Sequence, residues 1–133
     1  MFKKIALSLL TAAFFCLGAV MAHEMTHGFD DQGRKYDASG RLQDWWTSHD
    51  AREFEARTAP LVKQYDGYKP FPDLAVNGQL MLSENIADLG GLKIAYAAFQ
   101  KAWAGKPRSA DSSGFTPEQR FFISYAQHWR RIM

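Results

Sequence analysis

The chain has 133 residues, enough for one small domain, and its composition is that of a globular protein rather than a disordered one. Its formal net charge of +2, without a long run of Lys and Arg, argues against a nucleic-acid partner. The only cysteine, Cys16, lies in an apolar segment, so an intrachain disulfide is excluded.

The first 22 residues, MFKKIALSLLTAAFFCLGAVMA, have the three parts of a secretory signal. A lysine pair comes first, residues 5–20 are almost wholly apolar, and Val20 and Ala22 are small enough to precede a cleavage site. The apolar stretch is longer than a usual signal core of ~7–15 residues and just short of a membrane span of ~20. We therefore predict a signal or a membrane anchor, and an exported protein that is periplasmic, secreted or membrane-anchored. A buried helix is the alternative.

The segment AHEMTHG follows this leader directly. His23 and His27 are four residues apart, so on a helix they project from one face and can hold one metal ion. Glu24 points about 100° around the helix from His23, where it can take a proton from water. The three fixed letters arise by chance in roughly one such chain in two hundred, so the motif favours a metal site. An ordinary exposed helix with two histidines is the alternative.

The segment after this motif, residues 28–40, is rich in Gly and Asp and is predicted to be a loop. A helix should begin near Thr47 or Ser48, either of which can cap its free amides, and Pro60 should kink or split it. One face of that helix is expected to carry Ala51, Phe54, Thr58, Leu61 and Tyr65.

Two prolines make residues 66–74 a loop, and a short extended segment is predicted from Val76 to Leu82, with Asn77-Gly78 as its turn. Apolar residues then recur every three or four positions, which predicts a strongly amphipathic helix. They are Leu82, Ile86, Leu89, Leu92, Tyr96, Phe99 and Trp103.

Catalytic zinc needs a third protein ligand and an open fourth position. Glu84 in SENIADLGG is the candidate, because a carboxylate on a separate helix can approach from the side. Asp88, four residues later on the same face, can accept the far N–H of a ligand imidazole. The adjacent Gly90-Gly91 pair costs about 1 kcal/mol per glycine in a helix, which close approach of the HExxH helix would explain. A solvated acidic face is the alternative reading of the two carboxylates.

Residues 105–114 are predicted to form a surface loop before a last helix. Thr116 and Gln119 have the spacing of a capping box, and Pro117 suits a first helical turn. This helix is expected to bury Phe122, Tyr125 and Trp129.

HEMTHGFDDQGR and ENIADLGGL together resemble the neprilysin and endothelin-converting-enzyme family of zinc metallopeptidases, including its bacterial members. The resemblance begins near Leu17 and runs to the end of the chain, taking in DWW and FFISYAQHWR. It implies a mainly α fold, a thermolysin-like (gluzincin) catalytic helical core truncated at both ends. Residues 17–133 would be a partial catalytic domain, and the leader, residues 1–22, would overlap the start of its active-site helix.

The resemblance also implies a site and a reaction, the hydrolysis of peptide bonds in a peptide substrate. A single zinc ion (Zn²⁺) would be bound by His23, His27 and Glu84. Glu24 would be the general base, and Asp88 would hold a ligand imidazole from behind. Asp30 and Asp31 would support the site, although taken alone they are typical of a solvated loop.

Two parts of the family have no counterpart in the sequence: the large N-terminal region that walls the cleft, and a late segment whose histidine and arginine steady the oxyanion. His128, Arg130 and Arg131 match the segment before that one and are expected to be a solvated charge cluster at a helix end. His49 is expected to be exposed. The predicted function is a zinc metalloendopeptidase; the alternatives are an inactive zinc-binding remnant and a small membrane-anchored protein.

Overall fold

A computed structural model describes residues 17–112 and 114–130. Within them the fold is helical: α1 covers residues 17–26 and α2, α3 and α4 span Ser48–Asp66, Leu82–Ala102 and Pro117–Trp129. Two short 3-10 helices, His27–Phe29 and Gly33–Lys35, follow α1. The described residues contain isolated bridges but no strand, so the predicted mainly α class is confirmed.

The chain divides into two compact units. The middle unit is His23–Gly90, and the outer unit consists of the described residues up to Ala22 together with the described residues from Gly91 onward. Most of the predicted leader, residues 1–16, lies outside the described residues. No helix in the described ranges is both long and apolar enough to cross a lipid bilayer.

Helix α2 begins where the sequence predicts, because Thr47 and Asp50 form a capping box that satisfies free amides of the first turn. The Thr47 hydroxyl accepts from the Asp50 N–H at 3.1 Å, and the Asp50 carboxylate accepts from the Thr47 N–H at 3.3 Å. Of the two effects predicted for Pro60, a kink or a split, the split does not occur, since α2 is one continuous element of 19 residues. A proline removes one backbone donor, and the other turns of this long helix are retained.

The extended segment predicted for residues 76–82 is also wrong: residues 78–81 form a turn that leads into α3. The Gly78 N–H donates to Asp66 at the end of α2 over 2.7 Å, and the Leu80 N–H donates to the Asn77 side chain over 2.9 Å. A Cβ on Gly78 would lie 2.2 Å from the Val62 carbonyl oxygen. These contacts hold the segment against α2 in a turn, so it is not extended. The predicted turn at Asn77-Gly78 is confirmed.

Helix α3 buries a row of small residues in addition to part of its predicted apolar face. Leu82 and Phe99 are buried as predicted, whereas Leu89 is 52% exposed. Ala87, Gly91 and Ala95 lie four residues apart and are buried, because short side chains allow a neighbour to approach closely. The amphipathic stripe predicted from residue size is therefore only partly correct.

In the outer unit the core consists of Ala19, Ala95, Phe99 and Phe121. Helix α4 has the predicted cap, with Thr116 and Gln119 in a capping box and Pro117 in the first turn. Its predicted buried face is partly correct: Tyr125 packs against the core, whereas Phe122 and Trp129 are exposed and Phe121 is buried instead. The Tyr96 ring lies 5.3 Å from Phe121 and 5.1 Å from Phe122, whereas the buried Phe99 ring lies 5.3 Å from Phe121. The contact with Phe99 therefore distinguishes the buried Phe121 from the exposed Phe122.

Candidate metal centre

The imidazoles of His23 and His27 face each other at the end of α1. These histidines and the other residues of the candidate site all belong to the middle unit. The Nε2 atoms of His23 and His27 are 3.1 Å apart. His23 Nδ1 lies 2.9 Å from Asp88, and His27 Nδ1 lies 2.7 Å from Asp30. Because an ionised carboxylate can only accept, each Nδ1 carries a proton and donates it there. The lone pairs of neutral imidazoles would then both be on the facing Nε2 atoms.

The carboxylate of Glu84, from the first turn of α3, completes a triangle with these atoms. Glu84 Oε2 is 3.4 Å from His23 Nε2, and Oε1 is 3.8 Å from His27 Nε2. One donor atom from each of the three residues lies within 4.8 Å of the others. Tetrahedral zinc, with bonds of about 2.0–2.2 Å to N and O, needs donor atoms about 3.4 Å apart. The three side chains therefore fit one ion of that size.

Asp30 is the most deeply placed carboxylate of the site, with 3% of its surface exposed. It accepts from the backbone N–H groups of Gln32 and Gly33 and from His27, over 2.7–2.8 Å. Burial opposes ionisation, but these hydrogen bonds, that from Gly33 foremost, outweigh it and lower the pKa of Asp30. Asp30 is thus buried and hydrogen-bonded to His27 in the candidate site, and it is not the solvated loop residue that its sequence context suggests.

The pKa of His27 is raised above its ordinary value. The hydrogen bond to Asp30 is the largest cause, burial opposes it, and the negative charges of Glu84, Asp30 and Glu24 add to the shift. Glu24 itself is exposed on α1, beside His23 in sequence and close enough for its charge to act on His27. Its carboxylate is therefore open to water at the edge of the site.

The close approach that the glycine pair predicts occurs at Gly90. A Cβ at this position would lie 2.8 Å from both Cγ2 and Oγ1 of Thr26, which lies between His23 and His27 and directly precedes the first 3-10 helix. Real Cβ atoms do not approach other atoms so closely, so only glycine lets α3 lie against this turn of α1.

A buried arginine holds the loop that carries Asp30. The Arg34 guanidinium carbon lies 5.3 Å from the Trp46 ring centre and 5.5 Å from the Phe54 ring centre, an arrangement typical of cation–π contact. The backbone N–H of Arg34 donates to the backbone carbonyl of Asp30 over 3.2 Å. The DWW segment and α2 therefore support the loop behind His27.

Other predicted residues have simpler surroundings. His49 is exposed, as expected, and His128 and Arg130 are exposed at the end of α4, while Arg131 lies outside the described residues. The contacts of Thr26 and Ser83 could not be predicted from the sequence, since a threonine or serine near a metal motif carries no pattern of its own. Ser83 donates to Asp31 over 2.8 Å.

A helical fold in which HExxH brings two imidazoles to a carboxylate from a second helix defines a class of protein, the metal-dependent peptidases. Residues 11–133 match the profile of Peptidase family M13, and the chain belongs to this family of zinc metallopeptidases. The predicted resemblance is confirmed.

Similar proteins bear the names that this family predicts. Neprilysin-11 of Caenorhabditis elegans is 45% identical over 117 residues, which are 85% of this chain and 14% of that protein. Endothelin-converting enzyme 1 of Bos taurus is 46% identical over 116 residues, 85% of this chain and 15% of that one.

The crystal structure of the zinc metalloprotease ZMP1 of Mycobacterium tuberculosis, in complex with an inhibitor, superposes with a TM-score of 0.79. It is 48% identical, and the match covers 90% of this chain and 19% of that one. The chain therefore spans less than a fifth of the length of these similar proteins.

Proposed function

We propose that His23, His27 and Glu84 bind one zinc ion and that this centre hydrolyses peptide bonds. The observation that supports it most is the cluster of donor atoms. The two Nε2 atoms are 3.1 Å apart, and the two oxygens of the Glu84 carboxylate lie 3.4 Å and 3.8 Å from them, distances that suit a single small cation. Without a cation, two imidazole lone pairs and a carboxylate would point at one another, which is electrostatically unfavourable. Membership of the zinc metallopeptidases supports zinc as the ion and peptides as the substrate.

The protein side chains divide the work of such a reaction. Zinc, when bound, polarises a carbonyl and makes water more acidic. Glu24 would accept the proton of the attacking water and pass it to the departing amine, as its exposed position beside the site allows. Asp30 and Asp88 would keep the proton on Nδ1 of each imidazole, so that each Nε2 lone pair stays available.

A second candidate is zinc binding without hydrolysis. It requires the same three ligands but no group that stabilises an oxyanion, and the loss of one such donor costs roughly 10²–10³ in rate. The metal site is the same in both candidates, and only catalysis separates them.

The experiment that distinguishes them compares the chain with Glu24→Gln. Zinc stoichiometry after dialysis is measured together with cleavage of a short quenched fluorescent peptide. We expect one zinc per chain in both proteins, with cleavage in the first and at least a hundredfold less in the variant, because the base is gone. Zinc without cleavage in either protein would establish the non-hydrolytic candidate. A chain that binds no zinc would contradict both.

We further propose that the leader exports the protein, leaving it periplasmic, secreted or membrane-anchored. The support is the sequence of residues 1–22, with its lysine pair and apolar run. Fractionation of cells that express a C-terminally tagged chain tests this. Recovery of the tag in the cytosolic fraction alone would contradict export.

A further inference from the structure

The carboxylate of Glu84 is the least supported of the three proposed ligands. Its side chain is 58% exposed, and among the described residues its ion-pair contacts are with His23 and His27 alone. Each imidazole has a carboxylate behind it, whereas Glu84 has no such partner in the described part of the chain. The position of Glu84 therefore depends on where the first turn of α3 lies.

One side-chain hydrogen bond ties that first turn to the loop behind His27. The Ser83 hydroxyl donates to Asp31 Oδ1 over 2.8 Å, across 52 residues of sequence. The other oxygen of Asp31 accepts from the Gln32 side chain over 2.7 Å, which restrains the carboxylate. Hydrogen bonds to an ionised acceptor are stronger than those between neutral groups.

The hydrogen bond between Ser83 and Asp31 is significant because both residues are next in sequence to residues of the site. Asp31 follows Asp30, which holds His27, and Ser83 precedes Glu84. A closed ring of contacts thus runs from His27 through the two aspartates to Ser83, on to Glu84, and back to His27. Loss of the Asp31–Ser83 hydrogen bond would therefore allow the first turn of α3, which carries Glu84, to move relative to the imidazoles.

We propose that Asp31 and Ser83 are positioning residues for the metal centre, which set the distance between the Glu84 carboxylate and the two imidazoles. The proposal rests on the proposed function, since it requires Glu84 to be a metal ligand. It assigns to this serine and aspartate a role in metal affinity, distinct from the direct orientation of an imidazole by Asp30 or Asp88.

The test measures Zn²⁺ affinity of the full chain by competition with a chelator, and the visible absorption of the Co²⁺ form, whose intensity depends on coordination geometry. Ser83→Ala should weaken Zn²⁺ binding about tenfold, the lower end of the loss for removed supporting partners, and should reduce the Co²⁺ absorption. Ser83→Thr keeps the hydroxyl and should restore both. Ser39→Ala is the matched control, because Ser39 is exposed and its hydroxyl has no partner in the described chain.

A double-mutant cycle with Asp31→Ala separates a direct bond from two independent effects. If the bond carries the effect, the double variant binds Zn²⁺ no more weakly than the weaker single variant. Circular dichroism of each metal-free variant verifies the helical fold, and Asp31→Asn, which keeps an acceptor, should lose less affinity than Asp31→Ala.

The outcomes separate this proposal from the proposed function. Wild-type Zn²⁺ binding with an unchanged Ser83→Ala, or with strictly additive losses in the cycle, overturns the positioning role and leaves the metal site intact. A wild-type chain that binds no Zn²⁺ overturns both. A tenfold loss that threonine restores supports the role of the hydroxyl.

Discussion

The carboxylates behind the two imidazoles differ in their surroundings. Asp30 has 4% of its side chain exposed and accepts from two backbone amides, whereas the Asp88 side chain is 40% exposed. A carboxylate fixed by backbone donors cannot turn away from its imidazole. We therefore regard the His27–Asp30 pair as the rigid half of the centre.

The opposite pKa shifts of this pair predict a pH-dependent stability in the metal-free protein. The pKa of His27 is raised, so its contribution is fully present below the ordinary value of ~6.5 and is lost as the pH rises through the folded value. The pKa of Asp30 is lowered, so its contribution is present above ~3.9 and is lost as the pH falls through the folded value.

The variant Asp30→Asn removes the charge from the pair. Thermal unfolding in excess chelator should show the largest loss of Tm, relative to wild type, between about pH 4 and 6.5. The difference should shrink on either side of that window. A difference in Tm that stays constant from pH 3 to pH 9 would contradict the assignment of the charged pair.

Among individual residues, those that belong to a recognisable sequence motif could be predicted from the sequence. HExxH and the SENIAD segment pointed to the three residues that the structure brings together. The burial of Asp30 and the bond from Ser83 to Asp31 could not be predicted, because both depend on how a loop folds against residues distant in sequence.

Among the elements, the contact between α1 and α3 at Gly90 gives a sharp mutational test. Gly90→Ala places a methyl 2.8 Å from Thr26, an overlap that should destabilise by ~1–3 kcal/mol and exceed the gain in helix propensity of about 1 kcal/mol. Chemical denaturation of the metal-free chain measures the change in free energy of unfolding.

Two further variants serve as controls for Gly90→Ala. Gly18→Ala lies in α1 with no atom near the added methyl, so it should raise stability by up to about 1 kcal/mol. Thr26→Ala combined with Gly90→Ala should recover part of the loss, because the clashing atoms are removed. A Gly90→Ala chain as stable as the Gly18→Ala chain would show that α3 does not approach α1 so closely.

Helix starts were predicted well where their signals are local. The capping boxes at Thr47 and Thr116 involve residues three apart, so the sequence contains the whole interaction. On α4 the sequence predicts Tyr125 correctly but not Phe121, since the choice of Phe121 over Phe122 depends on the contact with Phe99 of α3. The segment before α3 was missed because Asp66 and Val62 of α2 hold it.

For the molecule as a whole, the buried core of the described residues is small. Its outer-unit cluster contains two alanines and two phenylalanines, and large side chains such as Leu42, Phe71 and Leu80 are mostly exposed. Little apolar burial leaves the chain with modest intrinsic stability. A metal ion that joins α1 to α3 should then contribute a large share of the total.

Zinc should therefore raise the Tm strongly. At a free concentration of about 1,000 times the Kd, binding adds ~4 kcal/mol, which corresponds to roughly 10–20 °C for a domain of this size. Differential scanning fluorimetry with and without chelator measures the shift, and His27→Ala should abolish it. Equal Tm values in zinc and in chelator would show that the ion does not join the two helices.

X-ray absorption at the zinc edge of the zinc-loaded chain tests the proposed metal centre most directly. We expect one zinc with two imidazoles and further oxygen ligands at about 2.0–2.2 Å, in four-coordinate geometry, and a changed spectrum in Glu84→Ala. A spectrum with fewer than two imidazoles, or one that Glu84→Ala leaves unchanged, would contradict it.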